Sequence, residues 1–216
     1  MFESIIPKLK ERYQLTMIDF LGNGRSDRVS GFPTEIWYDQ ALQTIALIKH
    51  LDYEKVHLIG TSGGAYVALN VALERPKLVQ KVVADSFEGR TLHQGMLEEL
   101  IIDREACVHN EFARQFYNWC QGEDWQSVVE ADTQAISAFI QSGCSLYHKP
   151  LKELTMPLLL LGSKEDTSLR KDLFEEYQQI SKMTPKTMIH MFERGGHPSL
   201  LSNSEEAIKI INTFLE

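Results

Sequence analysis

Apolar positions along this chain follow two alternating rhythms. Short runs bounded by glycine, proline or aspartate have the length and composition of strands: LTMIDF (14–19), VHLIG (56–60), KVVADS (81–86), PLLLLG (157–162) and KTMIHMF (186–192). Between them, apolar residues recur at helical spacing. Phe2, Ile5, Ile6 and Leu9 predict a first helix, and Trp37, Ala41, Ile45 and Ile48 a second, with Pro33 suited to its first turn. An alanine-rich run from Ser62 predicts a third, stopped by Pro76. Leu169, Leu173, Phe174, Tyr177 and Ile180 share one face of a later helix. Ala207, Ile208, Ile211 and Phe214 share a face of the last, which Ser202 and Glu205 would open as a capping box. Alternating strands and helices predict an α/β fold, a mostly parallel sheet with helices on both faces.

Two stretches break the alternation. A helix comes before the first strand. Residues 88 to about 150 contain no strand-like run, and carry Phe112, Phe116, Tyr117, Trp119, Trp125, Phe139 and Tyr147 among many charges. The pattern predicts one domain over 1–216, with a helical lid at about 88–150 inserted between the strands at 81–86 and 157–162.

Length and composition agree with a single buried core: 216 residues, 43% hydrophobic. The formal charge of -8, from 22 basic and 30 acidic residues without a basic cluster, argues against nucleic acid or an anionic membrane as partner. Cys107, Cys120 and Cys144 lack metal-ligand or redox spacing and are expected as reduced, buried thiols. No leader pattern and no apolar run of membrane-spanning length is present, so the expected location is cytoplasmic.

The chemistry concentrates in three places. Gly60-Thr61-Ser62-Gly63-Gly64 matches G-x-S-x-G between a predicted strand and a predicted helix, the context in which a serine is held on a sharp turn with its hydroxyl exposed. Close strand-helix approach is expected to require glycine at both 60 and 64. The helix N-terminus favours developing negative charge, and Gly63 N–H is the candidate oxyanion donor. A serine hydroxyl needs a base. His57 and His190 lie inside predicted strands and His50 closes a helix, but His197 follows Gly195-Gly196 in a loop at the carboxyl edge of the sheet, where α/β proteins place ligands. The acid that would orient it is Asp166, just after PLLLLG, with neighbouring Glu165 and the more distant Asp85 as alternatives.

Three separated segments, GTSGG after VHLI, PLLLLGSKED, and ERGGHPSLLSNSEEAIKIINTFLE, resemble the corresponding pieces of α/β-hydrolase-fold esterases and lipases, and DFLGNGRSD resembles the turn such proteins carry after an early strand. The resemblance implies serine hydrolysis of an ester-type bond in a small-molecule substrate, through an acyl-enzyme with Ser62, Asp166 and His197 as triad and without cofactor or metal. It also implies N-terminal strands, one lying between the segments at 14–19 and 56–60, and an H-G loop supplying a second oxyanion N–H, all ahead of the first residue here. Alternatives on the same fold are a thioesterase, lactonase or C–C bond hydrolase, or a non-catalytic protein lacking a complete oxyanion hole. The sequence gives no sign of oligomeric state.

Overall fold

The computed structural model describes residues 2–216. Four strands form one parallel sheet among these residues: β1 (Val56–Thr61), β2 (Val79–Asp85), β3 (Leu158–Ser163) and β4 (Thr187–Phe192), in the spatial order β1-β2-β3-β4. Each matches an apolar run within two residues at either end. The register pairs Val82 with Leu158 and Leu158 with Thr187, so β3 is hydrogen-bonded on both sides.

Helices cover both faces, as the alternation predicts. The core on one face gathers α2 (Ile36–His50), α3 (Gly63–Glu74) and α7 (Leu173–Met183) around Val82, Ala84, Leu158 and Leu160. The other gathers α1 (Ile6–Lys10), α8 (Ser199–Ser202) and α9 (Ser204–Leu215) around Val83, Leu159 and Leu161. Successive strand side chains point to opposite faces, which is why a continuous run of four leucines, all fully buried, fits a strand with helices above and below it. Each such leucine contributes roughly 1.5–3 kcal/mol of burial.

Between β2 and β3 the chain forms α4 (Met96–His109), α5 (Glu111–Gln121) and α6 (Trp125–Ser142). Helix α6 joins the main core through Ala135, Ile136 and Phe139, whereas α4 and α5 bury no residue. Phe112 and Trp119 are largely exposed.

Several expectations need correction. Residues 14–19 form no strand. A cavity of about 340 Å³, walled by Leu15, Thr16 and Ile18 on one side and by Leu58 and Ile59 of β1 on the other, separates this segment from the sheet. Across it only side chains meet, with Gln14 and Thr16 reaching the Tyr53 hydroxyl at 3.0 and 3.2 Å. An apolar run becomes a strand only where a neighbouring strand takes its backbone groups, and among the described residues no strand pairs with 14–19. Pro33 lies ahead of α2 rather than in its first turn. Ser202 does not cap the last helix: it ends α8, its hydroxyl donates to Gly196 O at 2.7 Å, and α9 begins after Asn203. The three cysteines, expected to be buried, are only partly so.

Candidate active site

Strand β1 leads directly into the turn that carries Ser62, and α3 starts at the next residue. Ser62 has φ 54° and ψ −125°, a conformation rare outside glycine and costing about 1–3 kcal/mol unless neighbours impose it. Two bonds impose it here: Ser62 N–H donates to Asp85 O at 2.8 Å, and Ser62 O accepts from Ala65 N–H at 2.9 Å. Gly60 makes the crossing possible, because a β-carbon there would lie 2.0 Å from Gly64 O. The expectation for Gly64 itself is corrected: a β-carbon at 64 meets nothing within 4 Å, so what crowds Gly60 is the backbone of residue 64, not its lack of a side chain.

On the other side of the site, the turn after β3 places Asp166 and the loop after β4 places His197. Asp166 Oδ2 and His197 Nδ1 are 2.8 Å apart, with the aspartate side chain sealed from solvent and the imidazole one quarter exposed. The other carboxylate oxygen of Asp166 accepts from Ser168 N–H at 3.0 Å, which fixes the acid independently of the histidine. The loop behind His197 is clamped at several points. Ser163 Oγ donates to Gly195 O, Gly195 N–H donates to Glu165 at 3.1 Å, and Asn203 Nδ2 donates to Arg194 O at 2.9 Å. Gly195 has φ +104°, and a β-carbon there would fall 2.5 Å from Asn203 Nδ2.

Of the three carboxylates weighed as the acid, the structure brings only Asp166 to the imidazole. Glu165 holds the turn that precedes it. Asp85 is wholly buried and forms a separate knot, accepting from the hydroxyls of Thr61 and Ser199, from Ser86 Oγ at 3.2 Å, and from Leu200 N–H at 3.2 and 3.3 Å. Burial pushes its carboxyl above the usual range, against those hydrogen bonds, which act to lower it. Asp85 thereby joins the residue before Ser62 to a residue two beyond His197. Sequence patterning misses this role of Thr61, Ser86 and Ser199, because hydroxyl residues carry no periodicity and the contact spans more than 110 positions.

Ser62 Oγ forms no hydrogen bond among the described residues, so serine and imidazole are not joined in this structure. Beside Gly63 stands a side chain the sequence assigned only to a helix face: the indole nitrogen of Trp37 lies 2.8 Å from the position a Gly63 β-carbon would take. The other histidines lie elsewhere. His57 on β1 faces Tyr13 edge-on at 6.1 Å, and its pKa is lowered by burial and by Lys81. His190 on β4 approaches Glu206 at 3.7 Å. No group of three or more metal-type ligands occurs among the described residues, and none of their helices is long and apolar enough to cross a membrane.

Comparison with known proteins decides the family. Residues 1–121 match the family described as alpha/beta hydrolase fold. The chain belongs to that family. A 2-hydroxy-6-oxononadienedioate/2-hydroxy-6-oxononatrienedioate hydrolase of Paraburkholderia xenovorans is 25% identical over 98% of this chain and 79% of its own length. Two solved structures show the same fold: a meta-cleavage product hydrolase of Pseudomonas fluorescens (TM-score 0.74, 19% identity, 99% of this chain and 84% of that one) and an esterase of Exiguobacterium antarcticum (TM-score 0.73, 20% identity, 99% and 85%).

In this α/β-hydrolase a cluster of charges stands where the chain leaves the sheet for α4. Arg90 clasps Glu176 of α7 through Nε and Nη2 at 2.7 and 2.8 Å, and its backbone N–H adds a third bond at 2.8 Å. Burial acts to raise the Glu176 carboxyl, but Arg90 and Arg170 outweigh it and hold it low. Next to this pair His93 sits 3.0 Å from both Glu88 and Glu99. Burial lowers the His93 pKa, but the two carboxylates overcome it and the net shift is upward.

Proposed function

We propose that this chain is a serine hydrolase that cleaves an ester-type bond in a small molecule through an acyl-enzyme. The observation that carries the reading is the sealed Asp166 carboxylate 2.8 Å from His197 Nδ1, on the same sheet edge as a serine held at positive φ. With Nδ1–H donating to Asp166, Nε2 is left as the basic nitrogen. As Ser62 Oγ attacks the carbonyl carbon, Nε2 takes its proton and the carbonyl π pair moves onto oxygen, beside Gly63 N–H at the start of α3. Collapse of the adduct expels the alcohol, which receives the proton from the imidazolium. Water then enters by the same steps and releases the acid. The serine–imidazole hydrogen bond closes when substrate orders the site, since such bonds are commonly loose in the free enzyme.

Residues 88 to about 150 act in this reading as a lid, within a single domain of 216 residues. Helix α6 is anchored in the core, whereas α4 touches it through the half-buried Leu100 and α5 contributes no residue to it, which leaves these two helices to set what enters the site. A second reading, hydrolysis of a carbon–carbon bond by the same three residues, is favoured by the name of the Paraburkholderia relative. Hydrolysis of p-nitrophenyl acetate by the wild-type chain and by Ser62→Ala tests the serine reading. Loss of turnover in the variant supports it, and equal rates in both sink it. Offering 2-hydroxy-6-oxononadienedioate in place of the ester separates the two readings, because preferential consumption of that compound assigns the carbon–carbon reaction.

A further inference from the structure

We infer that the indole N–H of Trp37 is a catalytic hydrogen-bond donor to the oxyanion, acting beside Gly63 N–H. The inference rests on the serine-hydrolase reading and assigns a residue to it. In α3 the Cα–Cβ bonds tilt toward the helix N-terminus, so the place a Gly63 β-carbon would occupy is displaced toward the end of the helix that Ser62 precedes. Trp37 Nε1 stands 2.8 Å from that place, closer than a β-carbon at 63 accepts without a shift of the ring, and Cδ1 stands at 3.4 Å, an ordinary contact. The glycine therefore admits a donor carried by another helix.

Two further observations give the indole a ligand-facing role rather than a packing role alone. Trp37 is 7% exposed, yet its N–H donates to no group among the described residues. Nor is the nitrogen among the unpartnered polar atoms sealed from water, so it opens on solvent-accessible space. Buried tryptophan N–H groups ordinarily find an acceptor. The ring is also held firmly, tilted against Tyr66 with centroids 4.8 Å apart and edge-on to Phe139 at 5.0 Å. Tyr66 belongs to α3 and Phe139 to α6. A rigid donor with no competing acceptor stabilises developing negative charge without reorganising during the reaction.

The test combines Trp37→Phe, which keeps an aromatic ring and removes the N–H, with a spectroscopic probe. With p-nitrophenyl acetate, kcat falls about 100-fold while KM is little changed, the pattern of an interaction made only in the transition state. An alkyl trifluoromethyl ketone serves as the probe. Ser62 Oγ bonds to its carbonyl carbon, the serine proton passes to His197, and the carbonyl pair becomes the hemiketal oxyanion. In protein labelled with ¹⁵N at the indoles, the Trp37 N–H resonance moves downfield on adduct formation, while those of Trp119 and Trp125 stay in place. A purely structural role changes the melting temperature of Trp37→Phe without that selective shift. If the hemiketal forms but the Trp37 resonance is unmoved and Trp37→Phe keeps its kcat, the donor role is overturned and the triad stands. If neither hemiketal nor ester turnover is seen, the serine-hydrolase reading fails and this inference fails with it.

Discussion

The two halves of the candidate site sit on very different ground. The proposed acid and base hang from β3 and β4, where one strand is paired on both sides, four successive leucines are fully buried, and the loop behind His197 is fixed by Ser163, Glu165 and Asn203. The proposed nucleophile hangs from β1, an edge strand whose free side faces the 340 Å³ cavity and an unpaired segment at 14–19. What keeps Ser62 in place comes from the inner side instead: the Asp85 backbone carbonyl on β2, and the knot through Thr61 and Ser199. A strained turn on an edge strand can thus be held from one flank, provided that flank is buried.

The largest expected effect falls on the well-built half. Asp166→Asn removes the carboxylate proposed to set the His197 tautomer, and kcat for an ester is expected to drop by about 10⁴-fold, whereas Glu165→Gln leaves it within about tenfold. Comparable losses from both changes would mean that the loop as a whole, and not the acid, governs the base. Next comes packing. Leu160→Ala at the sheet centre costs about 3 kcal/mol, while Ile59→Thr on the cavity side of β1, already 36% exposed, changes stability by about 0.5 kcal/mol or less. Urea unfolding of the two variants checks the contrast, and equal losses would remove it.

Ser199→Ala lies between the halves. It leaves the buried Asp85 carboxylate short of one donor and costs about 1–2 kcal/mol, and kcat falls with it because the link between the elbow and the His197 loop is weakened. The same unfolding titration, run beside an ester assay, checks both. The smallest effect is electrostatic. The His93 pKa is raised in the folded protein, so its ion pairs contribute stability that is fully present below the unfolded value near 6.5 and is lost as pH rises through the higher folded value. The melting-temperature deficit of His93→Gln is therefore larger near pH 5 than near pH 9.

How much of this the sequence reveals depends on whether a feature is local. Ser62 and its flanking strand and helix are readable because the turn, the small residues and the change of period lie within one short segment. His197 is readable as a loop histidine at the correct sheet edge, and Asp166 as one of three carboxylates. The choice among the three is spatial, since adjacent carboxylates part only in the fold, where Glu165 takes Gly195 N–H and Asp166 meets His197. The strand expected at 14–19 fails for the converse reason: its pattern is intact, but strand formation is a property of a pair, and β1 does not reach it. Ser202 also matches its local pattern, yet Gly196 O takes the hydroxyl first. Trp37 and Ser199 escape detection because their partners, Gly63 and Asp85, come from distant elements and carry no reciprocal signature.

The most direct test of the central claim is mass spectrometry of the intact and digested protein after exposure to diisopropyl fluorophosphate. Oxygen of an activated serine displaces fluoride from phosphorus. One adduct per chain is expected, carried by the peptide that contains Ser62, and it is lost in His197→Ala. No adduct at Ser62, or labelling there that persists undiminished without His197, would contradict it.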